Sequence, residues 1–266
     1  MRLLMKNWEK IATLCGLIFF PFLLHAQERE ISNRIGVEFG INVLTGKTIV
    51  PDRVRTGEFV QGGDIFNNTI DVPYIGIKYE RYFLEKRMGF AVGLRFSQYS
   101  SAIHGKTGLF FFVPVDNCFL WQFHEEGIYT DYLQITRITQ TNNYLGIPLE
   151  FSYLLKKGDS FFRPYVKIGV VVNKLISTTN SVAFIDEQMN QYADAVGKQA
   201  GKPNAFNACF YPALGFKLRK NRYVWGNIEI QYTPFFIAKI THPFISPDYG
   251  TGMQLSLQIP VNQKTK

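Results

Sequence analysis

A chain of 266 residues, 46% hydrophobic and 15% aromatic with 24 Phe, is too apolar for disorder and long enough for one cored domain. Its formal charge of +8 comes without the basic-aromatic stripe of a nucleic-acid binder, so no nucleic-acid partner is expected. Its three cysteines lack CxxC spacing, which excludes a thiol-redox or zinc-ribbon motif.

Residues 1–26 read as a cleaved secretory signal peptide. Arg2, Lys6 and Lys10 are basic, Ile11 to Leu24 is apolar but short for a spanning helix, and Leu24-His25-Ala26 precedes Gln27 as a cleavage site. Cys15 follows Leu14 rather than a small residue, so lipidation is not expected. Losing Arg2, Lys6, Lys10 and Glu9 with this segment takes the formal charge from +8 to +6. The remaining Cys118 and Cys209 are candidates for a disulfide in an exported protein, which the sequence leaves open.

From 27 to 266 the chain reads as a single β domain. Apolar and polar residues alternate with period two in eight segments, 34–44, 72–83, 88–99, 143–155, 161–174, 205–219, 222–234 and 251–261. In 143–155, Leu145, Ile147, Leu149, Phe151 and Tyr153 share a face opposite Gly146, Glu150 and Ser152. In 161–174, Phe162, Val166, Ile168, Val170 and Val172 oppose Arg163, Lys167, Gly169 and Asn173. Tight turns at 84–87, 156–160 and 220–221 alternate with long links at 45–71, 100–142, 175–204 and 235–250. Short and long connections alternating over an even strand count predict an all-β fold: a single eight-stranded antiparallel up-and-down transmembrane β-barrel with short periplasmic turns and long extracellular loops.

A soluble lipocalin-type barrel shares the alternation but turns its apolar face inward. Glycine separates the two. Gly36, Gly40, Gly76, Gly89, Gly93, Gly146, Gly169, Gly215 and Gly252 all fall on the charged face, and only Gly226 on the apolar one. Glycine weakens a strand unless something approaches closely, and the lumen of an eight-stranded barrel is that crowded. The charged face is therefore predicted inside and the apolar face against outer-membrane lipid. Outward aromatics fall in two bands. Tyr79, Phe83, Phe90, Phe151, Tyr153, Phe162 and Phe216 lie towards the short turns, and Phe96, Phe206, Phe210 and Tyr232 towards the long loops.

The hairpin NYLGIPLEFSYLL…PYVKIGVVVN, after a leader ending Ala-Gln, resembles the PorT-like outer-membrane β-barrel family. That resemblance implies the barrel fold, the outer membrane as location and, from the family's namesake, a part in protein secretion. It carries no catalytic residues.

The inward positions include Glu38, Lys78, Glu80, Arg95, Glu150, Lys167, Lys217 and Glu229, four of each sign. Buried charges pair because unpaired ones cost several kcal/mol, so these eight are predicted to form a luminal ion-pair network. A selective pore tends to carry rings of one sign, so balance favours a plug over a conducting path.

In the second long link, residues 109–115 (LFFFVPV) with Phe119, Leu120, Trp121 and Phe123 are expected to add strand above the membrane, the alternative being an exposed patch for a partner. In the third, Asp186 to Gln199 is expected as a short helix capping the barrel, with Ile185, Met189 and Ala193 along one side. His104, His124 and His242 lie in the outer links near Glu125, Glu126, Asp131 and Asp248, where histidines are usually solvated. No HExxH or GxSxG motif, metal-ligand spacing or phosphate-cradling loop accompanies them, so no enzyme and no cofactor is expected.

On the short-turn side Lys86, Arg87, Lys156, Lys157, Arg219, Lys220, Arg222, Lys264 and Lys266 face only Glu85 and Asp159, which suits anionic headgroups or an acidic periplasmic partner. The function expected is non-enzymatic, a structural or interaction role with envelope or secretion proteins as candidate partners. The alternative is a small transporter or binder of hydrophobic compounds.

Overall fold

The computed structural model describes residues 32–55, 69–83, 87–105, 108–110, 113–115, 118–123, 132–156, 161–219, 225–233, 235–238 and 242–261. The signal segment, most of the tight turns and basic rim, His124 with its acidic neighbours, and Phe111 and Phe112 lie outside the described residues.

In chain order the strands are β1 (Ser32–Thr48), β2 (Val54–Arg55), β3 (Thr69–Phe83), β4 (Met88–His104), β5 (Gly108–Phe110), β6 (Val113–Val115) and β7 (Phe119–Gln122). They continue as β8 (Tyr132–Leu154), β9 (Phe162–Phe184), β10 (Phe206–Arg219), β11 (Trp225–Thr233), β12 (Phe235–Ala238) and β13 (Ile245–Val261). Eight of them pair antiparallel in the cycle β1-β3-β4-β8-β9-β10-β11-β13 and back to β1, so the sheet closes on itself. Closure leaves the membrane-spanning ring without an edge.

The apolar face is outside. Along β8, Leu145, Ile147 and Leu149 are 43–49% exposed, while Gly146 and Pro148 between them, and Glu150 and Ser152 beyond, are buried. The outward run from Leu145 to Tyr153 covers about 27 Å of strand and about 21 Å of height at a 40° tilt, close to the ~25 Å apolar band of such barrels. No described helix is long and apolar enough to cross a membrane; the crossing is made by strands.

The strands run further outward than the apolar alternation does, and this corrects the long links at 100–142 and 175–204. β8 and β9 each have 23 residues, and their pairing continues to Ile135–Phe184. The reason is an inversion of the pattern at the membrane surface. Below it the lumen is polar and the exterior apolar. Above it Ile103, Leu133, Ile135 and Ile138 are buried inside, while Gln98, Gln134 and Arg137 face water. Period two resumes on either side of a bulge between Ile135 and Arg137, but which side is apolar reverses because the outer solvent has changed from lipid to water. A row at this level, Gln98 Nε2 donating to Asn143 Oδ1 (3.3 Å) and Asn143 Nδ2 to Ser177 Oγ (3.0 Å), follows directly above Phe96, Leu145 and Val172.

β7 pairs with β8 where β4 has ended, and β2 pairs with β7. The residues Phe119, Leu120, Trp121 and Phe123 thus add strand and are buried, while Gly108–Phe110 and Val113–Val115 form a separate two-stranded ladder. The third link holds a 3₁₀ turn, Glu187–Tyr192, started by Asp186 accepting from Gln188 N–H, and then a helix, Ala193–Gln199. Its buried residues are Val196 and Gly197, and Ala200 just past its end packs on the same core as Val196. Met189 packs against the same core, but Ile185 is 48% exposed, so the side chosen from sequence was rotated.

Candidate functional site

The lumen is built by pairing each long side chain with a small one on the next strand. Glu38 sits opposite Gly76, Lys78 opposite Gly36 and Gly93, Arg95 opposite Gly76 and Gly146, and Glu150 opposite Ala91 and Gly169. The tyrosines do the same. Tyr74 lies across from Gly40 and Tyr211 from Gly169. A Cβ at Gly40 would stand 2.2 Å from Tyr74 Cζ, so only glycine leaves room for the ring. The one glycine on the apolar face, Gly226, has nothing nearer than Leu257 Cδ2 at 4.0 Å.

All eight charged residues expected inside are buried there. Six join in one chain of contacts. Arg95 Nε donates to Glu38 Oε1 at 2.7 Å, and Lys78 Nζ bridges Glu38 (3.1 Å) and Glu150 (3.0 Å). Lys167 Nζ bridges Glu150 (3.0 Å) and Glu229, and Arg95 Nη2 comes within 3.5 Å of Glu150. Glu150 is the hub, accepting also from Tyr211 O–H at 2.7 Å. The other two, Lys217 and Glu80, pair at 3.1 Å, with Gln258 and Ser152 donating to the same carboxylate. Aromatic faces complete the solvation: Arg95 lies 4.1 Å from the Tyr74 ring centroid, and Lys217 lies 4.4 Å from that of Tyr82.

Towards the periplasmic mouth, Arg34 and Arg163 stack on Trp225, each guanidinium 3.8 Å from its ring centroid. Arg163 had been placed on the inward face by its register. Arg34 and Trp225 were missed, although the parity of Glu38 and Glu229 on the same strands also turns them inward.

Above the charges comes an apolar lid of Ile103, Phe119, Trp121, Phe123, Ile138 and Phe244, with Val196 of the helix packed on it. Trp121 Nε1 donates to Gln199 at 3.1 Å, fixing the helix to the added strand. Between lid and charges lies a cavity of about 20 Å³, lined by Tyr74, Arg95, Tyr99, Asn173, Cys209 and Tyr211. That is room for about one water molecule. Cys118 and Cys209 are not joined by a disulfide.

The histidines part company. His104 ends β4 and is exposed, whereas His242 is 1% exposed, which corrects its expected solvation. The Phe244 backbone N–H donates to Nδ1 (3.3 Å), and Ser101 Oγ lies 2.8 Å from Nε2 and 3.3 Å from Nδ1. Burial holds the imidazole near a pKa of about 4, well below its usual 6.5.

No family model matches the sequence, so its likeness to PorT-like barrels stands as a resemblance. No curated protein matches either. Similar solved structures include Neisserial surface protein A, with 9% identity, covering 88% of this chain and 100% of that one at a TM-score of 0.42. OprG from Pseudomonas aeruginosa has 14% identity, with 86% and 94% covered and a TM-score of 0.39. Ail of Yersinia pestis has 9% identity, with 87% and 99% covered and a TM-score of 0.38. These likenesses are remote, and the architecture rests on the chain's own closed ring, apolar exterior and charged interior. The chain is an eight-stranded outer-membrane β-barrel.

Proposed function

We propose that this barrel is sealed and works through the surfaces it presents on either side of the membrane, as a structural or interaction component of the envelope rather than a pore or an enzyme. The observation that carries the reading is the stacking of two unlike seals along one lumen: the Glu38–Lys78–Glu150–Lys167–Glu229 chain in the membrane, and the Trp121–Phe244–Val196 lid above it. An ion entering the charged layer would have to separate carboxylates from cations that already satisfy one another. A hydrophobic solute entering the lid would have to displace packed aromatic side chains of the chain itself, which speaks against the carrier alternative.

The PorT-like hairpin points to secretion or envelope assembly as the setting, with outer-membrane lipid as the constant partner and an envelope protein as the specific one. Two measurements test the proposal. Purified barrel in planar bilayers should show no unitary conductance; steady open channels would sink the sealed reading. Affinity purification of the tagged protein from outer membranes should recover a stoichiometric envelope protein, and its recovery alone or with lipid only would count against an accessory role.

A further inference from the structure

Above the apolar belt, the outward side chains of β8 and β9 change character. Reading away from the membrane, β8 presents Leu145, then Asn143, Thr141 and Thr139; β9 presents Val172, then Lys174, Ser177, Thr179 and Ser181. Asn143 stands opposite Ser177, Thr141 opposite Thr179 and Thr139 opposite Ser181, and Gln98 and Ser100 of β4 extend the first two rows. All eight residues of these rows are uncharged and carry a hydroxyl or an amide. A face meant only for water is ordinarily interspersed with charges of both signs. Here the one charge beside the rows is Lys174, exposed in the row of Leu145 at the top of the belt. No acidic residue occurs in 137–145 or 174–183, and Asp71 of β3, opposite Ser100, bounds the face on its far side. The face is held from behind, where Gln140 Nε2 donates to Asn180 Oδ1 at 3.0 Å and Ile138 and Val182 pack into the core of the lid.

We infer that this face binds the phosphorylated saccharide headgroup of an outer-leaflet glycolipid. The face continues the lipid-facing belt without a break, so whatever stands on the acyl chains beside Leu145 and Val172 stands against it. Height then selects the headgroup. A two-residue step along a strand tilted by about 40° rises about 5 Å, so three rows climb about 10–15 Å above the belt. A phospholipid headgroup layer is only about 5–8 Å deep in each leaflet, too shallow to cover them. A saccharide is taller.

Chemistry matches the same occupant. Each Ser or Thr hydroxyl both donates and accepts, as does each amide, so the rows pair with sugar hydroxyls of either polarity. Lys174, on a long flexible stem at the boundary, reaches up to a phosphate on the sugar. Ile176, set beside it by the register shift between Asn143 and Tyr144, is 58% exposed and offers an apolar contact to the acyl end of the headgroup. Because the strands are already rigid, little ordering is lost on binding. Such binding rests on the lipid partnership proposed above but not on a sealed lumen, so failure here would leave the seal standing, and open channels would not touch this site.

Titration of the refolded barrel in detergent micelles tests it, with bound lipid counted by native mass spectrometry. The probes are lipid A (an acylated, phosphorylated disaccharide), dephosphorylated lipid A, and phosphatidylglycerol, which is anionic but has no sugar. Lipid A should bind about tenfold tighter than either of the others. Lys174→Gln should abolish the preference for the phosphorylated form. Thr141→Val/Thr179→Val keeps the β-branched shape that suits a strand, and should weaken lipid A about fivefold while leaving phosphatidylglycerol unchanged. Thr251→Val, on the exposed face of β13 across the barrel, should change neither. The inference is overturned if phosphatidylglycerol or dephosphorylated lipid A binds as tightly as lipid A, if Lys174→Gln or the double valine variant binds all three lipids like wild type, or if Thr251→Val weakens lipid A as much as the double variant does.

Discussion

Removing the Glu150 carboxylate should cost more than removing any outward side chain at the same depth. In a Glu150→Leu barrel, Lys78 keeps Glu38 at 3.1 Å, Arg95 keeps Glu38 at 2.7 Å and Lys167 keeps Glu229. Each cation therefore retains one carboxylate, but the interior gains one uncompensated positive charge. Breaking a buried pair from one side costs about 3–5 kcal/mol, and stranding the Tyr211 hydroxyl adds to it. Because the cations keep partners, a total of about 4 kcal/mol is expected. Glu150→Gln keeps the Tyr211 bond and should lose about half as much. Leu149 is 43% exposed and points at lipid, which refills the space beside a smaller residue. Leu149→Ala should then cost under about 2 kcal/mol, whereas Leu149→Arg should cost about 2–4 kcal/mol near the midplane. Guanidinium titrations of the refolded barrel in vesicles, read as midpoint times slope, give each value. A harmless Glu150→Leu together with a severe Leu149→Ala would refute the assignment of faces.

Two further outcomes follow from single contacts. Gly40→Ala should destabilise by about 1–3 kcal/mol, because the Tyr74 ring it strikes is held by hydrogen bonds to Gln231 and Gln254. Gly226→Ala, with open space at its Cβ, should be neutral or stabilising by up to about 1 kcal/mol in the same titration. His242 makes stability pH-dependent in one window. Its folded pKa of about 4 lies below the unfolded 6.5, so the unfolded chain takes up the proton first as pH falls. Stability should be unaffected above pH 6.5, fall by up to about 3 kcal/mol between pH 6.5 and 4, and lose no more from this group below that. Unfolding midpoints of wild type and His242→Gln compared across pH 4–7 would show the slope in the first and not in the second; equal slopes would count against the buried neutral imidazole.

The membrane-spanning part of this fold was legible because lipid imposes one rule on every outward position. Leu145, Ile147 and Leu149 repeat it on β8, and Met253, Leu255 and Leu257 repeat it on β13. The charged residues of the lumen followed from parity alone, since Glu38, Lys78 and Arg95 could be nowhere but inside once the apolar face was turned out. What parity could not supply was their partners, which depend on strand register: Arg95 reaches Glu38 two strands away, with Gly76 between them on β3. The upper halves of β8 and β9 stayed hidden for a different reason. In YLQITRITQ the apolar residues Leu133, Ile135 and Ile138 face inward, so the alternation runs opposite to that of the lower strand and reads as a loop beside it. His242 was misplaced because nothing local marks burial. Its cover comes from Ser101, 141 residues away.

The central claim, apolar outside and charged within, is tested most directly by lipid quenching. The native Trp121 and Trp225 are both buried away from lipid, so they provide a constant, unquenched background for a tryptophan introduced at Leu149. In vesicles whose acyl chains carry bromine, Leu149→Trp should add a component that is strongly quenched, while the fluorescence of the native tryptophans stays unchanged. Quenching of the native tryptophans, with the residue at 149 unaffected, would contradict the account.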